Sequence, residues 1–212
     1  MPTEIERTLS IIKENKQNFL DTTPYLYELS GTEWKYLHMS GCASRSMMQW
    51  LKNEYAGYRR MKKEEIAEHK DPVFCLLAEP EYRWWTGVIE WSTNFGDYAW
   101  FKNESIVECW PHFDRFTLRY STLIEQVPNV KKFIRISPTL NLSIQDFARQ
   151  EKLRMYGDLP YVKPRYRTVG YIKQMAEVLR PTLNTMMEKQ PELREKLREY
   201  IQPDYQYYHK AL

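Results

Sequence analysis

The sequence predicts an α/β domain on a mostly parallel sheet, from three apolar runs that are each followed by a helical pattern. Residues 33–39, from Glu33 to Met39, alternate polar and apolar as a strand does. Residues 72–77, from Pro72 to Leu77, form one continuous apolar run, which suits a strand covered on both faces. Residues 131–136, from Lys131 to Ile136, give a third strand. The chain has 212 residues and no linker-like stretch, so the expectation is one three-layer α/β/α domain over 1–212.

The elements follow in order. Ile5, Leu9, Ile12 and Phe19 recur at helical spacing and predict an amphipathic helix over 3–20. After the strand at 33–39, residues 40–44 are small and turn-forming, and Arg45 to Tyr55 reads as a helix with Met47, Met48 and Leu51 on one face. Arg59 to Lys70 is charge-dense and reads as a solvated helical connector. Pro80 stands where a helix begins, and Trp84, Trp85, Val88, Ile89 and Trp91 follow it over 81–95. Ser143 is placed to cap a helix over 144–153. A Pro- and Arg-rich loop is expected over 156–167, helices over 169–180 and 191–201, and an aromatic tail over 202–212.

Composition narrows the function classes. No apolar stretch is long enough to span a bilayer, in keeping with a mean hydropathy of -0.68. Met1 to Lys16 is charged and lacks the apolar core of a secretory signal, so a cytoplasmic setting is expected. Cys42, Cys75 and Cys109 are widely spaced and fit neither a zinc pattern nor a disulfide framework. They are read as reduced thiols, and no metal is expected. A net charge of +3 suits a small anionic ligand better than nucleic acid. With 7 Trp and 16 Tyr the chain has ample aromatic surface, most of it expected in the core and some able to stack on a ligand.

Chemistry concentrates at residues 33–56, a strand, a tight loop and a helix. The first turn of a helix carries N–H groups without intrahelical partners, and its dipole adds about half a positive charge there. Small residues allow an anion to reach that backbone closely. Ser44 and Ser46 add hydroxyls, Arg45 adds a guanidinium fork, and Gly41 frees the turn. The plain alternative is an ordinary β–α turn. The Walker pattern of a phosphate-loop ATPase or kinase is missing.

The run from Ser44 to Leu51, following its strand, resembles the 5′-phosphosulfate loop of the sulfotransferases, in the heparan-type form Lys-x-Gly-Thr-Arg-Ala-Leu-Leu. Leu77 to Gly87 is similar to the family's Val-Arg-Asp-Pro-x-x-Arg-x-x-Ser-Gly, which contacts the nucleotide's 3′-phosphate. Trp110 to Phe113 resembles a family Pro-His-Trp segment, and Pro203-Asp204-Tyr205 with Tyr208 resembles the family's C-terminal ending. The four segments come in family order and cover most of the chain from 33 onward. The resemblance implies a P-loop-like fold and sulfuryl transfer from 3′-phosphoadenosine 5′-phosphosulfate, the co-substrate, to a hydroxyl or amine of a small molecule or carbohydrate. It implies that Gly41, Ser44, Arg45 and Ser46 surround the 5′-phosphosulfate. By the same resemblance Arg83 and Thr86 belong to a 3′-phosphate segment at 72–95.

Two positions depart from that pattern: Gly41 stands where the family has its loop Lys, and Ala78 where it has an Arg. Lys35, His38, Lys163, Arg165 and Arg167 are candidate replacements. His112, with Asp114 to orient it, is the candidate acceptor base, because histidine titrates near neutrality; His38 is a second candidate catalytic group. The departures keep another function in view, a sulfotransferase-fold binding or accessory protein without the chemistry, of the kind a phage carries. A nucleotide kinase is disfavoured for want of the phosphate-loop Lys.

Overall fold

The computed structural model describes residues 23–95, 118–162, 177–178, 181, 184–185 and 188–211, and only the main chain of 90–95 and 193. The expected helix at 3–20, and Cys109, His112, Asp114, Lys163, Arg165 and Arg167, lie outside the described residues. The elements are β1 (Tyr25–Glu28), β2 (Lys35–His38), α1 (Ser44–Glu54), β3 (Arg59–Arg60), α2 (Lys63–Glu68), β4 (Val73–Leu77), α3 (Pro80–Phe95), α4 (Tyr120–Ile124), β5 (Val130–Arg135), α5 (Leu140–Gln150) and α6 (Pro191–Lys210). The chain clusters into two compact units. One, the sheet unit, comprises Thr23–Pro80, Tyr120–Val162 and Pro203–Leu212; the other comprises Met1–Thr22, Glu81–Arg119 and Lys163–Gln202.

The sheet is of the α/β class but mixed, in the order β3-β1-β2-β4-β5. Strands β2, β4 and β5 run parallel, whereas β1 pairs antiparallel with both β2 and β3. This corrects the expectation of a mostly parallel sheet. The three strands legible in the sequence are the parallel set. The two others are a four-residue strand and a two-residue strand, too short to leave a pattern. Strands β1 and β2 form a hairpin that turns through Gly31 at φ 80, a left-handed conformation that glycine adopts without steric cost.

Side-chain alternation sorts the two sheet faces. Tyr36 of β2 and Phe74 of β4 are register partners on one face, and α5 covers them with Phe147, whose ring lies 5.1 Å from Phe74 and 4.9 Å from Trp34. On the other face of β5, Phe133 meets Tyr207 of α6 at 5.6 Å. Strand β4 is buried along all five residues, as its unbroken apolar run requires.

Other boundaries moved for local reasons. Only 63–68 of the charged run is helical, and Arg59–Arg60 pairs with β1 instead. Helix α5 begins at Leu140 with Thr139 as its N-cap residue, so Ser143 lies inside it, donating its N–H to the Thr139 carbonyl. Pro138 ends the preceding extended segment and sets this earlier start. Helix α6 continues through Pro203 to Lys210, so the expected tail is helical. Of the expected 169–180 helix, Glu177 and Val178 are described and are helical.

Asp204 holds the sheet unit's helical ends together. Its buried carboxylate accepts the N–H groups of Tyr120 (3.1 Å) and Ser121 (2.9 Å), the first residues of α4. Tyr120 in turn donates its hydroxyl to the Asp204 carbonyl at 2.9 Å. Charge, dipole and unpaired amides all favour a carboxylate there.

Candidate oxyanion site at the carboxyl end of the parallel strands

In the sheet unit the chain leaves β2 at His38 and turns through residues 39–43 into α1. Gly41 has φ 77 and Ala43 has φ 51. A left-handed Ala43 followed by helical Ser44 turns successive N–H groups to one side, the concave arrangement that suits an oxyanion. Ala43, the N-cap residue of α1, makes no side-chain cap bond to its first turn. A left-handed alanine costs about 1–2 kcal/mol, and such strain collects at functional turns.

The loop is fixed from below and from the side. The Cys42 N–H donates to the Met39 carbonyl at 3.1 Å, and Cys42 Sγ accepts the Ala78 N–H at 3.3 Å, tying the loop to the end of β4. Tyr36, fully buried, lies beneath it. Burial, reinforced by the nearby Cys42 and Cys75 thiols, pushes the Tyr36 phenol well up, and burial does the same to Cys75, so both stay neutral. Cys42 and Cys75 are buried thiols.

The segment after α5 forms a strap along α1. The Arg154 N–H donates to Tyr55 Oη (2.8 Å) at the C-terminal end of α1, and the Val162 N–H donates to Ser46 Oγ (3.2 Å) in its first turn. Between these points Gln145 bonds Asp158 and the Leu159 N–H bonds Asn141. Ser46, buried, therefore spends an acceptor lone pair on the strap. Tyr161, next to the anchored Val162, is 73% exposed beside that turn.

The expected site residues divide as follows. Gly41, Ser44, Arg45 and Ser46 come together in the loop and first turn of α1. His38 ends β2, its ring among Tyr25, Tyr27 and Tyr36 at centroid distances of 6.1–6.2 Å. Lys35 is not near the loop: it opens β2 at the opposite end, buried, with Nζ 3.0 Å from Asp71. An ion pair at the amino end of a strand cannot replace a cation at its carboxyl end, so that expectation is corrected.

Arg83 and Thr86 belong to the other unit, one turn apart on α3. Arg83 is 1% exposed and donates Nη1–H to the Leu118 carbonyl at 2.7 Å. Thr86 is buried, and its Oγ1 has no hydrogen-bond partner among the described residues. Trp84 is core, edge-on to the half-buried Trp85 at 4.9 Å.

Sequence reasoning missed a second group at the carboxyl ends of β4 and β5. Tyr205 of α6 donates its hydroxyl to Glu79, just after β4, at 2.5 Å. One turn on, the Tyr208 carbonyl accepts from Arg135 at the end of β5 (3.2 Å), and the guanidinium lies 4.7 Å from the Tyr208 ring centre. Leu77 and Arg135 are register partners, and Tyr36 pairs with Phe74. Continuing that register puts Met39, Leu77 and Arg135 in one row, spanning roughly 10 Å at ordinary strand spacing. The loop, a carboxylate and a guanidinium thus share the edge where open α/β sheets bind ligands. The tail's tyrosine spacing was the available signal.

Among the described residues no helix is long and apolar enough to cross a membrane, and no cluster of His, Cys, Asp and Glu could hold a metal ion. In comparisons with known proteins the chain matches no family model, no curated protein and no solved structure.

Proposed function

We propose that the β2–loop–α1 element binds the phosphosulfate end of a nucleotide, and that the protein is a sulfotransferase-like enzyme using 3′-phosphoadenosine 5′-phosphosulfate. The carrying observation is the turn from left-handed Ala43 into uncapped α1 at the carboxyl end of a parallel strand. That geometry supports an oxyanion; the order of the four resembling segments supports this donor. Ser44 and Arg45 with the first-turn amides hold the leaving phosphate, and stabilising its growing charge is the main catalytic task. The acceptor is a hydroxyl or amine of a small molecule or carbohydrate, and the setting is a bacterial or phage-infected cytoplasm.

The test is thermal unfolding with adenosine 3′,5′-bisphosphate, the donor's desulfonated product. At 100 times the dissociation constant the bound state gains about 2.7 kcal/mol, which raises the melting temperature. An unchanged melting temperature at millimolar ligand sinks the reading.

A second reading is a binding or accessory protein on the same scaffold. Gly41 and Ala78 favour it, since each missing charge-assisted contact forfeits about 1.5–3 kcal/mol. It predicts nucleotide binding without sulfuryl transfer to any acceptor, and biological function that survives Arg45→Ala.

A further inference from the structure

We propose that the strap after α5 is energetically coupled to the anion site through Ser46, so that anchoring the strap at the far end of α1 tightens nucleotide binding. The inference rests on the donor-binding reading above. The strap reaches α1 at two places. The Arg154 N–H bonds Tyr55 Oη at the end of the helix, where the Arg154 guanidinium also lies 6.0 Å from the Tyr55 ring centre. The Val162 N–H bonds Ser46 Oγ in the first turn. At about 1.5 Å per residue these anchors stand roughly 13 Å apart along the helix. Between them the strap is braced on α5. Leu153 and Leu159 are buried, and the Leu153 N–H donates to the Ala148 carbonyl at 2.7 Å. Asn141 and Gln145 of α5 hold Leu159 and Asp158. A segment braced at so many points opens as a unit, and loosening one anchor loosens the others.

Ser46 is where the strap meets the site. It is the third residue of α1 and is 8% exposed. A serine hydroxyl offers one proton and two lone pairs. Val162 takes a lone pair, so the proton remains to be given, and the bond restricts rotation of the hydroxyl. A first-turn hydroxyl ordered in advance donates to a phosphate oxygen without losing that freedom on binding. Donation to the anion also makes the oxygen a better acceptor for the Val162 N–H, because chained hydrogen bonds polarise one another. Nucleotide and strap thus strengthen each other, and by thermodynamic linkage they do so by the same factor. Val162 and Tyr55 are positioning residues, acting through Ser46. Tyr156 and Tyr161 of the strap are 85% and 73% exposed, so chymotrypsin cleavage after them reports how often the strap opens.

The experiment measures adenosine 3′,5′-bisphosphate affinity by calorimetry for native protein, Tyr55→Phe, Ser46→Ala and the double variant. Asn141→Ala, which frees the Leu159 N–H, is a second way to loosen the strap. Chymotrypsin cuts at Tyr156 and Tyr161 are followed by mass spectrometry with and without saturating bisphosphate. The expected result is that Tyr55→Phe and Asn141→Ala each weaken bisphosphate binding by about two- to tenfold, the range one neutral hydrogen bond supports, although neither residue belongs to the loop or the first turn of α1. The double variant binds as Ser46→Ala does, because the strap acts through that hydroxyl. Bisphosphate slows strap cleavage in native protein and loses this effect in Ser46→Ala. Native affinity in both Tyr55→Phe and Asn141→Ala, with a lowered urea midpoint, makes the strap purely structural; it overturns the coupling and leaves the donor site standing. Additive losses in the double variant overturn the route through Ser46. Native protein that binds no bisphosphate overturns the donor-binding reading itself.

Discussion

Replacing Asp204 by alanine removes a carboxylate that two elements depend on. Asp204 is 1% exposed and accepts the N–H groups of Tyr120 and Ser121 at 3.1 and 2.9 Å. Hydrogen bonds to a charged group contribute about 1.5–3 kcal/mol each, so losing the pair costs about 3–6 kcal/mol. Alanine supplies no acceptor for either buried amide, which places the cost toward the upper part of that range. Typical domains have only about 5–15 kcal/mol in total, so the variant should be close to unfolding at room temperature. Asp204→Asn keeps one neutral acceptor but turns an amide donor toward a main-chain N–H; it should lose about half as much. Urea unfolding followed by circular dichroism and by tryptophan fluorescence gives both values. A loss below about 1 kcal/mol for Asp204→Ala would refute the claim that the carboxylate secures α4, and the Tyr120 hydroxyl bond to the Asp204 carbonyl would then be the main tie.

Other outcomes follow from the same structure. Ala43→Gly relieves a left-handed alanine at φ 51 and should stabilise the protein by about 0.5–1 kcal/mol once glycine's larger unfolded-state entropy is counted, read as a shift in urea midpoint at constant slope. Tyr55→Phe removes the acceptor for the Arg154 N–H and should cost about 1 kcal/mol by the same assay; no change would mean that the strap is held elsewhere. Glu65 is held down to about 2 from the ordinary 4.5, first by the Arg59 guanidinium and then by the Lys62 N–H. A depressed carboxylate stabilises above its unfolded value and loses that contribution as pH falls from about 4.5 through about 2. Acid unfolding of Glu65→Gln should accordingly lack this component of the pH dependence, with the difference from native protein full above that window and gone below it.

Much of the sheet was legible because burial writes itself into sequence. Strand β4 is covered along its length and reads as Val73-Phe74-Cys75-Leu76-Leu77 without interruption. Strand β3 consists of two exposed arginines inside a charged run, and nothing in Arg59–Arg60 separates it from a solvated helix. Its pairing with β1 is supported by the Arg60 guanidinium stacked 3.4 Å over Tyr25 and by Arg59 bridging Glu28 and Glu65. These contacts are tertiary, and local propensity does not report them. The loop at 40–46 was visible through its small residues and the Ser-Arg-Ser run. Glu79 and Tyr205 were not visible as a pair, because 126 positions separate them and only the packing of α6 joins them. Lys35 failed as a site residue for a directional reason: sequence proximity to the loop does not tell which end of a four-residue strand a side chain serves.

The direct test of the oxyanion site is amide proton–nitrogen correlation spectroscopy during titration with adenosine 3′,5′-bisphosphate. Saturable downfield shifts at the Ala43, Ser44 and Arg45 N–H signals, weakened by Arg45→Ala, are the predicted result. Signals from these three amides that stay fixed at ligand concentrations producing saturable shifts elsewhere would contradict it.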